Sequence, residues 1–159
     1  MTISIRTATS EDVPTVALLI RALSQYEKLE HEVAMTEDKL RATMFGPRSY
    51  AEAVLAEEDG KAVGFALFFH NYSTFLAQPG LYLEDLYVPE SHRGKGIGKS
   101  LLAHLARIAV ERNCGRMEWA VLDWNVDAIG FYEKLGAKPN SDWTVYRLVG
   151  DSLNRLAGQ

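Results

Sequence analysis

Apolar and polar positions alternate with two distinct periods in the first third of the chain. Ile3 and Ile5 alternate with polar neighbours, which predicts a short strand with one buried face. Apolar residues three and four positions apart then predict a helix. Its predicted inward stripe consists of Val13, Val16, Ala17, Ile20 and Leu23. Thr36 is a residue type that caps helices, so a second helix is expected from there to Phe45.

The remaining pattern predicts a sheet with helices between some of its strands. Strands are predicted over 50–56 and 62–69, with a hairpin turn at 57–60 and a loop at 71–80 before a strand at 81–88. A helix over 97–110, a central strand over 116–122, and a helix over 126–135 follow. A last strand over 143–149 and a short helix over 151–156 complete a mixed α/β fold. Without repeats or linkers, residues 1–159 are expected to form a single domain.

Composition and charge argue against several classes of function. The formal charge of −4 gives no basic footprint for nucleic acid, and no stretch is long and apolar enough to span a membrane. The single Cys114 excludes an intrachain disulfide, which fits a reducing compartment, so a cytoplasmic location is expected. The four histidines lack the spacing of metal ligands, so no metal is expected.

Two candidate functional features lie close together, one within the 81–88 strand and one in the loop after it. Glu84 and Asp85 interrupt an apolar run, which indicates a bulge that redirects side chains, because a carboxylate within a strand is costly to bury without a task. A loop with three glycines follows and opens the long helix. Its glycines and cations are Arg93, Gly94, Lys95, Gly96, Gly98 and Lys99. Free N–H groups at a helix start, beside cations, favour a phosphate or pyrophosphate.

These motifs carry a resemblance to a known family. The pattern Arg-x-x-Gly-x-Gly from Arg93 to Gly98 resembles the acetyl-CoA pyrophosphate loop of the GNAT acetyltransferase superfamily. Asn125 after the fifth predicted strand and the run Gly130–Ala137 resemble further superfamily motifs. The resemblance implies a GNAT fold: a mixed, mostly antiparallel sheet of six to seven strands flanked by helices and splayed around Glu84–Val88. Within the superfamily, the chain looks like the spermidine/spermine (diamine) and thialysine acetyltransferases.

The resemblance also implies the chemistry, with acetyl-CoA as co-substrate. An alkyl ammonium has a pKa near ~10.4, so some group must remove its proton, and Glu84 is the candidate base. Tyr132 is the implied acid for the departing thiolate. The residues implied to bind the cofactor are Leu86, Tyr87, Val88, Arg93, Gly94, Lys95, Gly96, Ile97, Gly98, Lys99, Asn125 and Phe131. Those implied to bind the substrate are Tyr26, Glu27, Glu84, Asp85 and Trp143.

The expected function is therefore transfer of acetyl from acetyl-CoA to a small cationic amine by direct attack in a ternary complex. A diamine, a polyamine, thialysine or a lysine-like amine is the expected acceptor. An aminoglycoside, a protein amine, or a non-catalytic role in sensing acyl-CoA are the alternatives. By resemblance, a homodimer is also expected.

Overall fold

The computed structural model describes residues 2–159, which divide into two compact units, 2–120 and 121–159. The strands are β1 Ile3–Thr7, β2 Glu52–Glu58, β3 Lys61–Ser73, β4 Gln78–Tyr87 and β5 Met117–Trp119. The helices are α1 Val13–Tyr26, α2 Glu37–Met44, α3 Ile97–Glu111, α4 Val126–Lys134 and α5 Gly150–Leu156. Short 3-10 turns lie at Ser10–Asp12, Glu30–Glu32 and Glu90–His92.

The five strands form one sheet in sequence order, β1-β2-β3-β4-β5. The first four strands are antiparallel to their neighbours, whereas β5 pairs parallel to β4. The predicted mixed, mostly antiparallel fold is confirmed, with five strands in the described residues rather than six to seven. A single domain over 1–159 stays a prediction.

Helices cover both faces of the sheet in the first unit. Val16 and Leu19 of α1 pack with Phe65 and Leu67 of β3 in one buried cluster. On the opposite face Gly64 lies against α3, because a Cβ built there would come within 3.3 Å of Ile97 and of Leu101. Apolar residues therefore fix which face of β3, and of the strands paired to it, meets each helix.

Most predicted elements lie close to their expected ranges. The side chain of Thr36 accepts a hydrogen bond from the N–H of Lys39 and caps α2, as its type predicted. Asp59 and Gly60 both have positive φ, of 53° and 77°, which is the geometry of a two-residue hairpin turn.

Three predicted elements differ from the structure. Residues 71–80 are not a loop, since β3 and β4 extend to a short turn around residues 74–77. The strand expected over 116–122 is only Met117–Trp119 and lies at the edge of the described sheet, not its centre. Residues 143–149 join no ladder within the described chain. The local sequence predicted that strand, but a strand also requires a neighbour for its backbone hydrogen bonds.

Candidate active site

A bulge in β4 decides which side chains face α1. Leu83 pairs with Phe68 and Asp85 pairs with Leu67, so Glu84 is an extra residue without a partner on β3. Because Leu67 and Phe68 are consecutive, Leu83 and Asp85 face opposite sides of the sheet. Without the bulge, Asp85 and Tyr87 would share the α3 side with Leu83. The predicted bulge is thus present, and it turns Asp85 and Tyr87 toward α1.

Three carboxylates influence one another at this point. Burial, together with the smaller effects of the charges of Glu84 and Glu27, raises the pKa of Asp85 to about 7. Glu27, which caps the C-terminal end of α1, has a raised pKa because of desolvation and then the charge of Glu84. Within residues 2–159 no ion pair involves any of the three. The fold thus gathers negative charge here, with no cation of the described chain in ion-pair contact with these carboxylates.

The sheet also opens at the bulge. Strands β4 and β5 pair only at Leu81, Leu83 and the residue between them, and their ladder stops before Glu84. From Asp85 onward β4 pairs with β3 alone among the described residues. The backbone of Leu86 and Val88 therefore lies beyond the last pair with β5, which fits the predicted splay of this strand.

The glycine-rich loop joins this open strand to α3. Gly94 and Gly96 have φ of 79° and 80°, a left-handed conformation that favours glycine. Gly96 is the residue before α3, so no side chain caps the first turn of that helix. Buried Ile97 anchors the turn, while Lys95 and Lys99 are exposed. Free N–H groups and two flanking cations suit a phosphate group, as the sequence predicted.

Arg93 is arranged differently from a simple phosphate ligand. Its Nε–H donates to the carbonyl of Val88 at 2.8 Å. Its guanidinium carbon lies 4.4 Å from the ring centroid of Tyr26 and 5.7 Å from that of Tyr87. The first glycine-loop residue is thus stacked on the end of α1, a contact that the sequence motif alone did not predict.

Four predicted site residues lie in the second unit. The side chain of Asn125 accepts a hydrogen bond from the N–H of Ala128 at 3.3 Å, which confirms its predicted role as the cap of α4. The rings of Phe131 and Tyr132 are 5.5 Å apart near the end of this helix. Trp143 is 76% exposed and lies in the extended segment before α5. The functions predicted for these four side chains stay predictions.

The position of Asp85 is the main feature of the site that the sequence did not predict. Strict alternation along β4 would turn Asp85 away from the face that Glu84 occupies. The bulge changes that parity, and the partial burial of Asp85 then raises its pKa. The interruption of alternation by Glu84 and Asp85 was the available signal.

Comparison with known proteins identifies the family. Residues 17–137 match the model of the acetyltransferase (GNAT) family. A solved integron cassette protein from the mobile metagenome of V. cholerae has 31% sequence identity and a TM-score of 0.84, with 100% of this chain and 99% of that one covered. The chain therefore belongs to the acetyltransferase (GNAT) family, which confirms the predicted class of enzyme. Proteins of this family use acetyl-CoA as co-substrate.

Named relatives are similar over nearly the full chain. The thialysine N-epsilon-acetyltransferase of Bos taurus is 34% identical and covers 99% of this chain and 98% of its own length. The L-ornithine N5-acetyltransferase NATA1 of Arabidopsis thaliana is also 34% identical, over 96% of this chain and 86% of that protein. These names match the predicted resemblance to the thialysine branch.

Among residues 2–159, no three side chains of His, Cys, Asp or Glu gather closely enough to hold a metal ion. In the same residues, no helix has the length and apolar character needed to cross a bilayer.

Proposed function

We propose that this protein transfers the acetyl group of acetyl-CoA to the primary amine of a small cationic substrate. The observation that carries the proposal is the cluster of Glu27, Glu84 and Asp85, which lacks a cationic partner in the described chain. An ammonium group would supply that missing charge and lower the cost of ionising the carboxylates. The names of the thialysine and ornithine acetyltransferase relatives support an amine carried by an amino acid.

Our proposed binding mode for acetyl-CoA uses the loop and the open strand. The first turn of α3, with Gly94, Gly96 and the flanking lysines, would hold the pyrophosphate. The backbone N–H groups of Leu86 and Val88 would donate to the thioester oxygen and the pantetheine arm. The remaining predicted cofactor contacts, from Tyr87, Asn125 and Phe131, rest on the family motifs.

In the proposed reaction, the neutral amine attacks the thioester carbonyl carbon, forming a C–N bond as the C–S bond breaks. Glu84, exposed at the bulge, would take the ammonium proton directly or through a water molecule. Asp85 would hold the same ammonium by charge. Tyr132 would give a proton to the departing thiolate, a role that rests on its motif. Tyr26, Glu27 and Trp143 complete the proposed substrate contacts.

Initial rates of thiol release from acetyl-CoA test the proposal. The amine panel includes thialysine, lysine, ornithine, putrescine, spermidine, spermine, an aminoglycoside and a peptide N-terminus. Saturable turnover is expected with the thialysine-like amino acids or with the di- and polyamines, and Glu84→Gln and Tyr132→Phe should each lower kcat about 100-fold or more. Binding of acetyl-CoA without turnover of any amine would favour an acyl-CoA sensor instead.

The assembly and the location of the protein are proposed on resemblance. We propose a homodimer that works in the cytoplasm, without nucleic acid or membrane as partner. Light scattering at assay concentration tests the assembly, and a mass of one chain, 17.8 kDa, would contradict it.

A further inference from the structure

The guanidinium of Arg93 connects the glycine loop to the end of α1. Its position is fixed by two contacts, since Nε–H donates to the carbonyl of Val88 at 2.8 Å while the guanidinium carbon lies 4.4 Å from the Tyr26 ring centroid. Tyr87 completes the arrangement, with its ring 6.5 Å from that of Tyr26 and 5.7 Å from the guanidinium carbon. One cation therefore contacts both α1 and β4 through aromatic rings.

Those two elements carry the acids of the proposed amine site. Tyr26 is the last residue of α1, and Glu27 follows it directly. Tyr87 is two residues beyond Asp85 on the same side of β4, because each pairs with a residue of the α1-facing side of β3. The stack thus lies beside both acids without joining their carboxylates. Its position determines how far the α1 end, with Glu27, stands from Asp85.

We propose that Arg93 is a positioning residue for the amine, in addition to any contact with phosphate. The stack holds Glu27 at the distance where its charge acts on Asp85, so loss of the stack weakens the grip on the ammonium. This inference rests on the proposed amine acetylation. It also reassigns one face of the Tyr26 ring, which Arg93 covers, so that face does not serve as a cation–π surface for the substrate.

A planar guanidinium is required for this role, and a positive charge alone is not sufficient. Lysine keeps the charge that a phosphate would need, but it has no planar group to lie over the Tyr26 ring and no Nε–H oriented toward Val88. Arg93→Lys therefore separates the two roles. A pure phosphate ligand would tolerate lysine in part, whereas a stacked positioning residue would not.

The test compares Arg93→Lys, Tyr26→Leu and the double variant. The control is Arg48→Lys, because Arg48 lies over the Tyr50 ring at 4.8 Å and neither residue belongs to the proposed site. Each single variant without the stack should raise KM for the amine about 5-fold, and the double variant should be no worse than either one. The Kd of acetyl-CoA, measured by calorimetry, should change less than about 2-fold. Arg48→Lys should behave as the wild type in both measurements, because it changes a guanidinium over a ring outside the proposed site.

Two results would overturn the inference. One is a rise in the acetyl-CoA Kd with an unchanged amine KM, which would make Arg93 a phosphate ligand only. The other is a double variant whose effects on the amine KM multiply, which would mean that the two residues act independently. If wild-type protein acetylates no amine, the proposed function fails by itself. The stack is then tested by thermal unfolding, where additive decreases in Tm would overturn it and a non-additive decrease would support it.

Discussion

Two groups of carboxylates in the first unit contain residues whose pKa values are shifted in opposite directions. Asp12 and Glu57 are both paired with Arg6 at 2.7 Å, and Glu52 makes two hydrogen bonds to the guanidinium of Arg112. These contacts lower the pKa of Asp12 to about 2, and the hydrogen bond from Arg112 lowers the pKa of Glu52. At the β4 bulge, by contrast, the pKa of Asp85 and that of Glu27 are raised.

The difference separates structural charges from functional ones. A carboxylate that already has a guanidinium needs no further cation, and its pairing links distant segments of the chain. A carboxylate left among other acids destabilises the protein when ionised, and a cationic ligand relieves that cost. The acids at the bulge therefore attract an ammonium group, whereas Glu52 and Asp12 do not. The predictions below test this distinction, from the largest expected effect to the smallest.

Removing the charge of Asp85 should have the largest effect of these. Asp85→Asn should lower kcat/KM for the amine about 100-fold, because the ammonium loses a charged partner in a partly desolvated site. The wild-type profile, corrected for ionisation of the substrate, should rise with pH through about 7 as Asp85 loses its proton. That step should be absent in Asp85→Asn.

The matched control for this experiment is Glu52→Gln, which neutralises a carboxylate of β2 that is paired with Arg112. It should leave kcat/KM and the pH profile unchanged, because Arg112 already balances Glu52. Equal losses of activity in the two variants would contradict the distinction between paired and unmatched acids.

A substitution in the glycine-rich loop should affect binding of acetyl-CoA, whereas substitutions of the acids should affect the amine. Gly96→Ala should raise KM for acetyl-CoA about 5-fold and leave KM for the amine unchanged, because alanine at a φ of 80° strains the loop by about 1–2 kcal/mol. Gly60→Ala is a matched control, since Gly60 has a φ of 77° in a hairpin turn and, like Gly96, has open space around an added Cβ. It should lose similar stability without a change in either KM. A shift in both KM values for Gly96→Ala would show that the two subsites are not separable.

The free energy of unfolding should show directly how much the ionised Asp85 carboxylate destabilises the protein. The folded-state pKa of Asp85 is raised to about 7 from an ordinary value of 3.8, so the folded protein binds the extra proton between these values. Stability therefore falls as pH rises from about 4 to about 7. Asp85→Asn should be more stable than wild type at pH 8 by on the order of 2 kcal/mol, and nearly equal to it at pH 4. Urea unfolding at the two pH values measures both differences. A destabilised Asp85→Asn at pH 8 would mean that the carboxylate has a favourable partner.

Sequence reasoning succeeded where one local pattern decides the structure. Apolar spacing located the buried stripe of α1, Thr36 and Asn125 marked helix caps, and the glycine loop marked the start of α3. Each of these signals concerns neighbours in sequence, whose geometry is fixed by a few hydrogen bonds.

Prediction from the sequence was less complete where contacts between residues far apart in the chain determine the structure. The bulge at Glu84 was predicted, but the face reached by Asp85 depends on its pairing with Leu67, which the sequence of β4 alone does not contain. The stack of Arg93 on Tyr26 joins residues 67 positions apart in the numbering and has no motif of its own. The predicted strand at 143–149 has no partner strand among the described residues, so its local sequence was not sufficient.

The smallest expected effect concerns a paired acid. Arg6 lowers the pKa of Asp12 to about 2, and the N–H of Thr9 also donates to this carboxylate. A depressed pKa contributes stability above the ordinary value of 3.8, and that contribution is lost as pH falls toward 2. Because Arg6 is partly exposed, solvent screens the pair, and Asp12→Asn should cost about 1 kcal/mol at pH 7. Urea unfolding should show this loss at pH 7 and a smaller one at pH 3, with amine turnover unchanged. A loss of turnover would place a paired acid among the functional ones and break the distinction.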